Sequence, residues 1–181
     1  MILDRSNPDQ AATVELFVDR TSDGQPFFEE VPVEPLGGER YRILASPGLL
    51  DGLAAGDVFD RKADGTYEIV ERSGNLCVQV WHPGVDVREG VDAALLPSAV
   101  ALGGWLDGRT EGSTVLTFPL SAGFQRIEQL LDAWVDATEG STWSYGNVYA
   151  DDGRTPLGWW EDEKSRRQSE SAADNASRSE S

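Results

Sequence analysis

The chain has 181 residues, with 32 Asp and Glu against 15 Lys and Arg and a formal net charge of −17. A surface of that sign repels phosphate, which excludes nucleic acid and anionic membranes as ordinary partners. A hydrophobic share of 39%, with six Trp, four Tyr and six Phe, excludes a wholly disordered chain.

Three further features point to the reducing cytoplasm. No apolar run is long enough to span a bilayer, Met1–Asp9 is polar with no signal-peptide core, and a single cysteine cannot close an internal disulfide. The acids are scattered, and lysine is confined to Lys62 and Lys164 while arginine is plentiful. That is the pattern of a halophilic surface kept hydrated in a salty cytoplasm.

In chain order, residues 1–10 are expected to form a flexible arm and residues 11–75 a small β-barrel. "TVELFVD" alternates Val14, Leu16 and Val18 as a strand does. "TSDGQP" has turn chemistry, Phe28 to Pro35 is extended, and "RYRIL" follows Gly37-Gly38 as the next strand. Ser46-Pro47 predicts a capped helical turn through "GLLDGLAA", ended by Gly56. "DVFDRKADGTYEIVE" predicts a hairpin with a two-residue turn at Asp64-Gly65. Short strands spaced this closely suggest an SH3-like barrel.

Residues 76–160 have a different rhythm. "LCVQVW" is a buried-looking strand, and "VREGVDAALLPSAVALGG" is helical in composition, with Pro97 set to kink or split it. "WLDGRTEGSTVLTFPL" predicts a hairpin around Glu111-Gly112. "GFQRIEQLLDAWVDATEG" predicts the clearest helix, with Ser121 as its N-cap and Gly140 near its end. "TWSYGNVY" supplies a last strand. The order β-α-β-β-α-β predicts a ferredoxin-like sandwich, a four-stranded antiparallel sheet with both helices on one face. The fold class is therefore α+β. Residues 161–181, acidic and rich in Ser, are expected to be a disordered tail.

The stretch "GERYRILASPGLLDGLAAGDVFD" with "YEIVERSGNLCVQVW" resembles a prokaryotic family catalogued as a domain of unknown function, family 4265. The residues that carry the resemblance are Tyr41, Pro47, Gly56, Asp57, Ser73 and Gly74, and it covers most of residues 13 to 150. The resemblance implies no established activity and brings no catalytic residues.

Cys77 and His82, the only residues of their kinds, invite a reading as nucleophile and base. Their odd spacing on a strand puts them on opposite faces, out of the hydrogen-bond reach that such chemistry needs. No other histidine could serve a triad, and no G-x-S-x-G elbow is present. Asp60, Asp64, Gly65 and Glu71 fall at calcium-loop positions, but Lys62 stands where a carboxylate is needed, so no metal site is expected. No P-loop or G-x-G-x-x-G occurs, and no cofactor is expected.

The expectation is a non-catalytic, two-module protein with a binding or regulatory role. Its cleft between modules would take an unknown protein or small molecule through Arg72, Ser73, Asn75 and Trp81. Trp159 and Trp160 are candidates for partner docking or for tethering the terminus, and Trp81, Trp105 and Trp143 would form a ligand groove if they clustered. The alternative is an immunity-like protein that neutralises a basic toxin through its acidic surface. A pocket gathering Asp57 or Glu71 with arginine would favour an enzyme instead.

Overall fold

Alternating apolar residues pair off in sequence through the first half of the chain. The computed structural model describes residues 11–84, 91–150 and 153–162; the expected arm at 1–10 and the expected tail beyond Asp162 lie outside them. Strands β1 (Ala12–Arg20), β2 (Pro26–Gly37), β3 (Arg40–Ile43), β4 (Val58–Arg61) and β5 (Tyr67–Glu71) form an antiparallel meander in that order. Leu16, Val31, Val33, Ile43 and Phe59 point to one side and are buried there with Leu50 and Leu53 from the connection between β3 and β4.

Three expectations for this half are corrected. No closed barrel forms, because the described pairings stop at β5. The first hairpin instead curls over the sheet at a bulge between Phe17 and Asp19. There the Phe17 N–H reaches the Gly65 carbonyl at 2.9 Å, and Arg61 Nε reaches the Glu15 carbonyl at 3.1 Å.

The segment "GLLDGLAA" is not helical. The Glu29 carboxylate from β2 takes the N–H groups of Gly48, Leu49 and Leu50 at 2.7, 3.0 and 3.1 Å, which gives this backbone its partners without a helix. The β4–β5 turn spans Lys62 to Gly65, closed by a 3.0 Å bond from Gly65 N–H to Lys62 C=O, and is not a two-residue turn. Gly65 adopts φ +85° there, and a side chain would strike the Phe28 ring. Asp60 is held by Arg40 at 2.7 and 2.8 Å, and Asp64 accepts from Thr66, so hairpin contacts occupy these two carboxylates.

The second half places β6 (Asn75–Trp81), β7 (Trp105–Arg109), β8 (Ser113–Pro119) and β9 (Thr142–Tyr145) in an antiparallel sheet of order β7-β8-β6-β9. A π-helical turn, Val91–Leu95, runs into α1 (Leu96–Ala101). Pro97 thus divides the helical stretch and sits in the first turn of α1, where a missing N–H costs little. Helix α2 (Phe124–Asp136) buries Ile127, Leu131 and Trp134. Its N-cap is Gly123 at φ 83°, because Ser121 is spent in a 3-10 turn, Leu120–Ala122.

Strands β6 and β8 are buried along both faces. Leu76, Val78, Val80, Leu116 and Phe118 pack on the helices. Cys77 and Val115 pack with Ala54 on the opposite side, against the β3–β4 connection. Each fully buried Leu or Phe contributes roughly 1.5–3 kcal/mol over its exposed state.

Candidate functional site at the junction of the sheets

Asp57 closes the β3–β4 connection and is fully buried. One carboxylate oxygen accepts from the Ser73 N–H at 2.7 Å and the Ser73 hydroxyl at 2.8 Å. The other accepts from the Ala54 N–H and from Arg72 Nη1, both at 3.1 Å. Burial pushes the Asp57 carboxyl above its ordinary value, while the Ser73 donors, Arg72 and the Ala54 N–H pull against that rise. The preceding Gly56, at φ +91°, lies where a side chain would meet Ser73 Cβ at 2.9 Å. The motif pairs Gly56-Asp57 and Ser73-Gly74 are thus two halves of one clamp.

Around this clamp the structure gathers three of the four expected ligand residues. Arg72 also donates to the Gly52 carbonyl and lies 5.2 Å from the centre of the Trp159 ring. Ser73 Oγ also lies 3.0 Å from the Ala55 carbonyl, which accepts from Asn75 Nδ2 at 2.7 Å. Trp81 is separated from them by the length of β6, opposite Ser113 and Thr142. Trp81, Trp105 and Trp143 do not cluster into a groove. Trp143 pairs with Val80 and faces the helices, whereas Trp81 and Trp105 share the parity of Cys77 and face the other way.

Trp159 and Trp160 both pack within the chain. Trp159 donates its indole N–H to the Asn147 carbonyl at 2.7 Å, and Trp160 meets Phe124 with ring centres 5.3 Å apart.

Sequence reasoning missed Asn147, which is fully buried and stitches the junction. Its Oδ1 accepts from the Cys77 N–H and its Nδ2 donates to the Asn75 carbonyl, both at 2.9 Å. The only signal was its place in "YGNV". Also missed was a hydroxyl chain in which Thr117 donates to Asp107 and bonds Ser46, whose Oγ accepts from the Ala55 N–H at 2.9 Å.

Cys77 is buried with its thiol near the Pro47 carbonyl, 3.6 Å away. Burial, and then the Asp107 carboxylate, push that thiol well above the ordinary cysteine range, so it stays protonated and is a poor nucleophile. His82 points to the helix side, 3.3 Å from Thr114 Oγ1.

Beside the clamp opens a cleft of about 440 Å³ whose lining includes Asp51, Tyr67, Ile69, Arg72, Tyr149 and Leu157. Tyr67 donates to the Asp51 carbonyl at 2.6 Å. Tyr149 and Leu157 are 37% and 42% exposed. The cleft therefore presents aromatic and aliphatic surface around one guanidinium, while the buried carboxylate behind it is occupied by internal donors.

A family model described as a domain of unknown function, DUF4265, matches residues 29–143. No curated protein matches the chain. A solved structure titled as a novel crystal structure of a hypothetical protein from Neisseria gonorrhoeae is similar in fold, with a TM-score of 0.57 at 14% identity. The match covers 75% of this chain and 94% of that one.

Proposed function

The chain belongs to the DUF4265 family, and from that premise we propose that it is a non-catalytic binding protein whose ligand enters the cleft beside Arg72. The observation that carries this reading is the saturation of Asp57: its two oxygens hold four internal donors, so it has no lone pair directed at a substrate. Arg72 and Asp57 come together as an enzyme would require, but as a brace between strands. The cleft next to that brace offers a small organic ligand apolar surface from Ile69, Tyr149 and Leu157 and one oriented cation in Arg72, with Asp51 also in its lining.

We also read residues 76–160 as a ferredoxin-like unit, supported by the element order and by a sheet of order β7-β8-β6-β9. The buried, unpaired thiol of Cys77 supports residence in a reducing cytoplasm.

The test is a titration of the isotope-labelled full chain with a panel of small aromatic and aliphatic carboxylic acids, followed by amide chemical shifts. Shifts concentrated at Gly52, Tyr67, Arg72, Tyr149 and Leu157 are expected, and Tyr149→Ala is expected to weaken the best binder about tenfold, the loss of one good aromatic contact. Shifts confined to another surface would sink the cleft assignment. Chemical conversion of a bound acid would sink the non-catalytic reading.

A further inference from the structure

Helix α2 and strand β9 carry an imbalance that the junction does not. Glu128, Asp132 and Asp136 recur every four residues and so share one side of α2. None of the three is in an ion pair among the described residues, and like charges at this spacing oppose the helix.

Asp132 accepts the indole N–H of half-buried Trp143 at 2.9 Å. From Trp143 a row of edge-on rings continues to Tyr145 at 5.1 Å, to Phe124 at a further 5.5 Å and to Trp160 at 5.3 Å beyond that. Within this row Tyr145 is only 8% exposed, and its hydroxyl has no hydrogen-bond partner among the described residues. Burial pushes that phenol up, and Glu128, Tyr149 and Asp132 push it further; Trp143 links the acids to it, bonding Asp132 at its indole N–H and meeting the Tyr145 ring at 5.1 Å. A neutral phenol oxygen can accept a hydrogen bond from a cation that the carboxylates hold, while the ring faces stabilise the same cation.

We propose that this face of α2 and β9 docks an arginine side chain of a basic polypeptide partner, with the guanidinium against Trp143, paired to Glu128 and Asp132 and donating to the Tyr145 hydroxyl. Arginine fits better than lysine because its planar, weakly hydrated fork both stacks on rings and matches a carboxylate. The net charge of −17 steers a basic partner to the surface at long range. The phenol oxygen is buried in the free chain, so docking has to shift the rings packed on Tyr145, Trp143 among them, and changes tryptophan fluorescence. This site is separate from the cleft beside Arg72, and neither proposal depends on the other.

The experiment titrates the full chain with N-acetyl-Arg-Arg-amide, and in parallel with the Lys-Lys equivalent, reading fluorescence and amide shifts. Saturable binding is expected, at least about fivefold tighter for the arginine probe, with shifts at Trp143 and Tyr145. Tyr145→Phe is expected to weaken it about tenfold without lowering Tm, since it removes a buried hydroxyl that has no partner. Glu128→Gln is expected to weaken it by about as much, and Glu71→Gln, on β5, to leave it unchanged. Equal losses in the two glutamine variants would reduce the effect to bulk charge and overturn the site. So would unaltered binding by Tyr145→Phe, the absence of saturation, or shifts at Tyr67 and Arg72 instead.

Discussion

Two polar clusters in this molecule are built on opposite principles. At the junction of the sheets, Asp57, Arg72, Ser73, Asn75 and Asn147 hold one another through direct internal hydrogen bonds. On α2 and β9, three carboxylates form no ion pair among the described residues and one buried hydroxyl has no partner. A satisfied buried network contributes to a unique fold, whereas an unsatisfied one costs stability that packing elsewhere has to offset. The contrast separates scaffold from candidate recognition surface more sharply than residue type does, since each cluster holds a carboxylate with a tryptophan nearby.

The comparison breaks most visibly if Asp57→Ala is mild. That substitution leaves Arg72 and three further donors without their acceptor, and should cost about 3–5 kcal/mol in urea unfolding. Gly56→Ala comes next. It sets a side chain at φ +91° and 2.9 Å from Ser73 Cβ, and should cost about 1–3 kcal/mol by the same measurement.

A third expectation concerns pH. Burial raises the folded carboxyl of Asp57 above its ordinary 3.8, so its contribution is fully present below that value and is lost as pH rises through the folded pKa. The stability difference between the wild type and Asp57→Asn should therefore favour the wild type most in acid and shrink toward neutrality. A difference that grows with pH would mean that Arg72 and the donors outweigh burial. The smallest effect belongs to the other cluster. Glu128→Gln relieves one like-charge pair on α2, and should raise stability by about 0.2–0.5 kcal/mol at low salt, seen as a small increase in Tm.

Much of the fold was legible because it is local. Alternation in "TVELFVD" and "RYRIL", the spacing of Ile127, Leu131 and Trp134, and the strand parity that separates Cys77 from His82 all depend on neighbours in sequence. What escaped was decided at a distance. Glu29 supplies the acceptor for three N–H groups some twenty residues ahead and so replaces a helix with a loop. Asn147 meets Cys77 seventy positions away, which no periodicity reports. Arg72, Ser73 and Asn75 were named because a turn connects the two halves there, but their hydrogen-bond partner Asp57 was visible only as half of a family motif. Trp81 was misplaced from the group because position along a strand, unlike parity, depends on where the neighbouring segments cross it.

The lone thiol gives the junction its own clock. Cys77 is sealed between Ala54 and Val115, so a thiol reagent in native buffer must wait for the two sheets to part. Where reclosing is fast, the ratio of the observed labelling rate to that of an unstructured cysteine peptide is the equilibrium constant for that opening. Compared with the global unfolding constant, it tells whether the halves separate as intact bodies or melt together. No probe residue has to be engineered for that measurement.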